Sequence, residues 1–304
     1  MAPRPYATRR LRLLFHSGKL FYLNYAVTLC WWLLWQRADI LLSNDMDTLL
    51  PNWMVARLRR KVLVYDSHEY WTEVPELRRG LVRAVWLRLE KWLFPRVDAA
   101  MTVNASIARI YEQKYGLPVQ VVRNLPQLIN WEDVPPRKAR QVIYQGALNV
   151  GRGIEMLIDA MEYLPEYQLV IVGYGNVDRA LREQAASRAW AGRIDFKGFL
   201  APESLRPVTA ASSLGVSLEE DLGESYHLAS SNKLFDYIQA GVPVIVSDLP
   251  EMAAVVRKHG VGEVLTAYGE NSPQRLAERI HERCGGSWIN SRAMPRIASK
   301  RPKC

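Results

Sequence analysis

Ser230-Ser231-Asn232-Lys233-Leu234-Phe235-Asp236-Tyr237-Ile238-Gln239-Ala240-Gly241-Val242-Pro243-Val244-Ile245-Val246 is the stretch that decides the fold. It reads as a helix that starts near Asn232, stops at a glycine and passes at once into an apolar strand. Ser231 and Asn232 are residues that cap a helix start, Gly241 closes its end, and Pro243 opens the strand that follows. A strand of unbroken Val and Ile, with no polar alternation, is buried on both faces. That is the condition of a parallel strand covered by helices.

Outward from this stretch the same alternation repeats. Strand-like runs lie at Val142–Tyr144, Leu169–Val172, Ile194–Lys197, Leu214–Leu218, Val244–Ser247 and Glu263–Leu265. Helical patterns fall at Gly153–Tyr163, Val177–Trp190, Asn232–Ala240 and Met252–Lys258. Nearer the N-terminus, Asp39–Ser43, Val62–Asp66, Ala99–Val103 and Val119–Arg123 read as strands, with helices at Thr48–Arg60, Gly80–Phe94 and Ser106–Tyr115. The chain is therefore α/β, with parallel sheets covered on both faces. Residues 131–140 (WEDVPPRKAR), with a Pro pair and no periodicity, read as a linker. The expected organisation is a Rossmann-like domain over 1–130, the linker, a second Rossmann-like domain over 141–282, and an irregular basic tail over 283–304. No strand, Gly-rich turn and helix precede residue 10, so the first domain is expected to be incomplete at its start. In such folds ligands sit outside the carboxyl ends of the strands, and functional residues are sought there.

Composition narrows the function classes. The 304 residues are 49% apolar and 23% charged, which fits soluble globular domains. A net charge of +9 favours phosphate-bearing partners: a nucleotide diphosphate, an anionic membrane or nucleic acid. Nucleic acid is set aside, because no helix-turn-helix pattern, zinc spacing or aromatic ladder is present. Cys30, Cys284 and Cys304 are too few and scattered for a disulfide framework or metal site, which points to a reducing, cytoplasmic compartment. The basic N-terminus lacks the apolar run of a signal peptide. Residues 20–35 (LFYLNYAVTLCWWLLW) are short for a membrane span and carry Asn24, and are expected to form a mostly buried helix.

Several of the post-strand segments carry chemistry. The backbone N–H groups opening the helix at Asn232 form, with its dipole, an anion site of diphosphate size. Lys233 adds a mobile positive charge there, and Asp236, one turn on, suits the two hydroxyls of a ribose. Gly146-Ala147-Leu148-Asn149-Val150-Gly151-Arg152-Gly153 is a second phosphate candidate, in which Arg152 offers a bidentate fork. Gly173-Tyr174-Gly175 is a further glycine turn. His68, in Asp66-Ser67-His68-Glu69, ends a strand and changes charge near neutral pH. Asn44-Asp45-Met46-Asp47 follows a strand in the same way. Its two carboxylates are expected to cap a helix rather than hold a metal, leaving Asn44 and Asp45 to line an acceptor site. The run 78–96 reads as a basic amphipathic helix, with Val82, Val85, Trp86, Leu89 and Leu93 on one face, suited to lie on an anionic membrane.

At these residues the chain resembles the family 4 (group 1) glycosyltransferases, whose GT-B architecture sets two Rossmann-like domains facing a cleft. The landmarks are Asp66-Ser67-His68-Glu69-Tyr70, Arg123-Asn124-Leu125-Pro126, Tyr144-Gln145-Gly146 with Arg152-Gly153, Ile171-Val172-Gly173-Tyr174-Gly175, and Asn232-Lys233-Leu234-Phe235-Asp236-Tyr237 with Gly241-Val242-Pro243-Val244. The resemblance spans about residues 35 to 282. It implies a retaining transferase that moves a sugar from a nucleoside-diphosphate sugar to a polysaccharide or lipid-linked acceptor, with no metal or other cofactor. Gly146, Arg152, Gly173, Ser231, Asn232, Lys233 and Asp236 would hold the donor, Arg152 and Lys233 at its diphosphate and Asp236 at its ribose. His68 would reach the donor sugar or phosphate. The family has two glutamates eight positions apart; here the second is Asp236 and Leu228 stands at the first. Glu224, Glu220 and Glu219 are the replacements to consider, with Glu224 taken beside His68 as catalytic. A nucleotide-sugar-binding protein without catalysis and, further off, a nucleotide-sugar epimerase are the rival readings.

Overall fold

The computed structural model describes residues 6–73, 80–126, 136–266 and 273–285. The chain forms two compact units that divide between Arg123 and Asn124. Residues 131–135 of the expected linker lie outside the described residues, as does the tail beyond Gly285.

The first unit runs α1 (Gly18–Leu34), β1 (Ile40–Asn44), α2 (Met46–Arg59), β2 (Val62–Ser67), α3 (Leu81–Leu93), β3 (Ala99–Thr102), α4 (Ala105–Tyr115) and β4 (Val119–Val121). Its four strands are parallel and adjacent in chain order. Leu41, Ser43, Leu63, Tyr65, Ser67, Ala100 and Thr102 point to the buried face, where Tyr65, Phe94 and Tyr111 pack as large core rings. The helices cover that face. Contrary to the expectation of two covered faces, Ile40 and Leu42 of β1 and Val62 of β2 stand exposed on the other.

One helix of this unit, α1, also departs from the sequence expectation. Among the apolar residues of α1 itself only Leu33 is fully buried, and Leu20, Leu23, Val27 and Trp31 face outward, so the helix is not mostly buried. Composition showed that the segment is apolar but not how much packs against it. In α3 the fully buried residues are Glu90 and Leu93, while Val82 and Val85 are exposed. Glu90 is drawn in by the Lys114 ammonium at 2.6 Å and by the Tyr115 hydroxyl, partners brought from α4.

The second unit runs β5 (Gln141–Gln145), α5 (Ile154–Ala160), β6 (Gln168–Val172), α6 (Asp178–Ala186), β7 (Ile194–Gly198), α7 (Pro202–Ala210), β8 (Leu214–Ser217), α8 (Glu224–His227), α9 (Asn232–Gln239), β9 (Val244–Ser247), α10 (Pro250–His259), β10 (Gly262–Leu265) and α11 (Pro273–Gly285). Its six parallel strands lie in the order β7-β6-β5-β8-β9-β10. Successive strand residues enter two separate cores, one on each face. Val142, Tyr144, Leu169 and Ile171 join one, and Ile143, Val170 and Val172 the other. Here the continuous apolar strands do mean a sheet covered on both faces.

Helices α7, α8 and α11 were absent from the sequence reading. Pro202 occupies the first turn of α7, where its missing N–H does no harm, and Pro207 is carried inside the helix. In α11, Leu276, Ile280 and Cys284 recur every four residues and are buried in the core.

Candidate functional site

The strand order of the second unit reverses between β5 and β8. The chain leaves β5 towards β6 on one side and leaves β8 towards β9 on the other. In open parallel sheets this is where the loops part and a ligand fits. The loop after β5 carries Gly146, Arg152 and Gly153; the loop after β8 carries Glu219, Glu220, α8 and Ser231 and ends at α9. Gly146 has φ +128°, and a Cβ there would lie 3.2 Å from the Lys233 side chain. Gly173, φ +144°, lies against it: a Cβ would fall 1.8 Å from the Gly146 carbonyl oxygen. The Gly146 N–H donates to the Val172 carbonyl at 2.9 Å. The three elements can approach this closely only because side chains are absent at both positions.

At the start of α9, Lys233 is 8% exposed, and its Nζ donates to Glu219 Oε1 at 2.5 Å. The same carboxylate oxygen accepts from Ser231 Oγ at 3.1 Å and has Arg152 Nη1 at 3.6 Å; the other accepts from Ser217 Oγ at 2.8 Å. The lysine also lies over the Tyr144 ring at 4.8 Å, and the Arg152 guanidinium over Tyr226 at 4.9 Å. Burial alone would push the Glu219 carboxyl up, but Lys233, Arg152 and Ser217 reverse this and hold it at about 2. Burial pushes Lys233 down, opposed by Glu219. The expected mobile lysine is therefore an anchored one. Ser231, at the N-cap position, does not cap the helix through its side chain, because its hydroxyl is engaged by Glu219. Asn232 is exposed beside it. Together the two cations and one carboxylate leave one net positive charge at this helix start.

Asp236 is half-buried one turn on, and burial raises its carboxyl. It accepts from Gln145 Nε2 at 3.0 Å, while Gln145 Oε1 accepts from Thr209 Oγ1 at 2.6 Å. Beneath it the buried Tyr237 hydroxyl accepts from the Gln145 N–H at 3.1 Å and sits 3.2 Å from the Val216 carbonyl oxygen, tying β5 to β8.

In the first unit, the ends of β1 and β2 bring Asn44, Asp45, Asp66 and His68 together. Asp45 holds φ +58°, a conformation that costs a non-glycine residue about 1 kcal/mol or more. It stands at the N-cap position of α2 but makes no side-chain cap, contrary to expectation; its carboxylate instead accepts the His68 N–H at 3.0 Å. Burial raises the Asp45 carboxyl, with the His68 hydrogen bond opposing. His68 Nε2 lies 3.3 Å from Asp66 Oδ2. Among the described residues no group of three His, Cys, Asp or Glu side chains is placed to hold a metal ion.

The family model described as "Glycosyl transferases group 1" matches residues 139–284, and that described as "Glycosyltransferase Family 4" matches residues 2–126. The chain belongs to the group 1, family 4 glycosyltransferases. A phosphatidyl-myo-inositol mannosyltransferase of Mycobacterium leprae is 30% identical to this chain over 161 residues, which is 50% of the chain and 39% of that relative. Its counterpart from Mycobacterium tuberculosis is 30% identical over 139 residues, 43% of the chain and 34% of the relative. The chain thus spans well under half the length of these relatives. Among solved structures, Anabaena HepE in complex with UDP-glucose superposes with a TM-score of 0.65 at 18% identity, covering 85% of this chain and 71% of that one. Sucrose-phosphate synthase from Thermosynechococcus elongatus gives 0.67 at 17% identity, covering 92% and 74%. At such identities the likeness is one of fold, and it bears out the α/β, GT-B class.

The second unit brings Gly146, Arg152, Gly173, Ser231, Asn232, Lys233 and Asp236 to one end of its sheet. Glu224 stands apart from the buried network as the exposed first residue of α8, and Glu220 is half-buried. The carboxylate that the network contains is Glu219, fully buried. From the sequence Glu219 is one of three candidate replacements, with Glu224 expected as the catalytic one. The available signal is its place shortly after β8, which the neighbouring Glu220 shares. Gln145 and Tyr237 stand in the sequence only as members of the Tyr144-Gln145-Gly146 and Asn232–Tyr237 motifs.

Proposed function

We propose that this glycosyltransferase takes a sugar from a nucleoside-diphosphate sugar and passes it, with retention at the anomeric carbon, to a lipid-linked or polysaccharide acceptor at the cytoplasmic face of an anionic membrane. The observation that supports this most is the buried Lys233–Glu219–Arg152 network at the start of α9, at the switch point of the sheet. Arg152 is the looser of the two cations on Glu219, and it turns to the donor diphosphate while Lys233 stays seated. As the bond from the anomeric carbon to the phosphate oxygen breaks, negative charge gathers on the departing diphosphate. Arg152 and the open N–H groups of α9 meet that charge in place of a metal ion. Asp236 receives the ribose hydroxyls, and Gln145 orients it. Asn44 and Asp45 serve the acceptor side and His68 the transferred sugar, with Glu224 beside His68 as the proposed catalytic carboxylate. The Mycobacterium leprae relative, by its name, mannosylates a phosphatidylinositol, which favours a lipid acceptor here.

A second reading, a nucleotide-sugar binder without transfer, is favoured by Leu228, buried where the family has a carboxylate. Calorimetry with UDP and GDP, followed by donor-consumption assays, decides between them. Arg152→Ala is expected to weaken nucleotide binding by about 1–3 kcal/mol, the range for a lost charged hydrogen bond. His68→Ala is expected to leave nucleotide affinity unchanged and slow transfer. Binding without donor consumption supports the second reading; undiminished affinity in Arg152→Ala removes the proposed site.

A further inference from the structure

We propose that the outward face of α1, with the arginines beyond its two ends and the adjoining face of α3, docks the first unit on the surface of an anionic lipid bilayer. Leu20, Leu23, Val27, Trp31 and Trp35 follow one another at helical spacing and are between 54% and 70% exposed. A helix that faces water ordinarily turns polar residues outward. Here the outward stripe is apolar, while the Leu33 carbonyl on the other side accepts from Arg59 of α2 at 3.2 Å. Tyr22 meets Trp86 of α3 edge-on at 5.6 Å, which joins the stripe to exposed Val82, Val85 and Arg88.

Charge selects the occupant. Residues 1–38 carry no Asp or Glu. Arg9, Arg10 and Arg12, which precede α1 in the chain, and Arg37, which follows it, are exposed. The Asn24 side-chain oxygen accepts the N–H groups of Leu14 and Phe15, at 2.8 and 3.3 Å, and so folds the arginine-bearing segment back along the helix. A second copy meeting this face would set arginine against arginine, with no carboxylate in the segment to relieve it. Anionic headgroups neutralise the same arginines, and the ring edges of Trp31 and Trp35 suit the headgroup layer. The helix lies in the membrane plane: at roughly 1.5 Å per residue its 17 residues reach less than the roughly 30 Å hydrocarbon core. Among the described residues no helix is long and apolar enough to cross.

The proposal names the surface behind the acceptor reading above, and it is tested without donor or acceptor, so that its failure leaves the nucleotide site untouched. The chain is sedimented with equimolar phosphatidylcholine–phosphatidylglycerol vesicles and with phosphatidylcholine alone. Binding to the anionic vesicles, weakened by salt, is expected. The Val27→Ser/Trp31→Ser variant, checked for folding by circular dichroism, is expected to bind about tenfold more weakly or worse. Arg9→Gln/Arg10→Gln/Arg12→Gln is expected to lose the preference for the anionic lipid. The proposal is overturned by no binding to anionic vesicles, by undiminished binding of both variants, or by a dimer in sedimentation equilibrium that Val27→Ser/Trp31→Ser dissolves.

Discussion

Lys233 and Glu219 show how one pair of residues sets the character of the site. A buried lysine and a buried glutamate each lose hydration, and their attraction at 2.5 Å offsets that loss only while both are present. Glu219 titrates at about 2 in the folded chain against an ordinary 4.5, so its ionised form is favoured by folding. The stability this contributes is present above pH 4.5 and is lost as pH falls towards 2. Urea denaturation across that window is expected to show the loss in the wild type and a much shallower one in Glu219→Gln/Lys233→Met. Equal acid sensitivity in the two would remove Glu219 from this role. The lysine itself was legible from Asn232-Lys233 at a helix start. Its burial was not, because the partner lies fourteen residues back, on another loop.

At the scale of elements, the turns after β5 and β6 work as one unit. Gly173 permits the β6 turn to lie against the Gly146 peptide, and Gly146 leaves room for Lys233. Gly173→Ala adds a methyl group 1.8 Å from a backbone oxygen at a positive φ, and neither the main chain nor the strand beneath can yield cheaply. It is expected to destabilise the second unit by about 3 kcal/mol or more and to weaken nucleotide binding. Gly192→Ala, with no atom within 4 Å, is the control expected to change stability by less than about 1 kcal/mol. Thermal melts of both variants test the pair. Strands were the most legible elements, since β9 runs Val244–Ser247 as its apolar run implied. Helix α7 is less legible, because Pro207 inside it is locally unfavourable to a helix, and the packing of Leu205 and Val208 on the core carries it.

For the whole molecule, the two units carry different parts of the proposed function and different kinds of surface. Every proposed diphosphate and ribose contact belongs to the second unit, which has its own two cores. A chain starting at Asn124 is therefore expected to fold and to bind UDP or GDP within about threefold of the full chain, by calorimetry. Loss of binding in a folded fragment would show that the first unit contributes to the donor site. The sequence by itself determined the α/β class, the parallel sheets, the helix opening at Asn232 and the glycines of the β5 and β6 turns. These depend on spacing and on residues whose backbone preferences act locally. Only the tertiary structure decided that Lys233 is anchored rather than mobile, that Glu219 is the carboxylate of the network, and that α1 turns an apolar stripe outward. Each of those depends on what comes to lie against a side chain from elsewhere in the chain, and burial and charge pairing are properties of that neighbourhood.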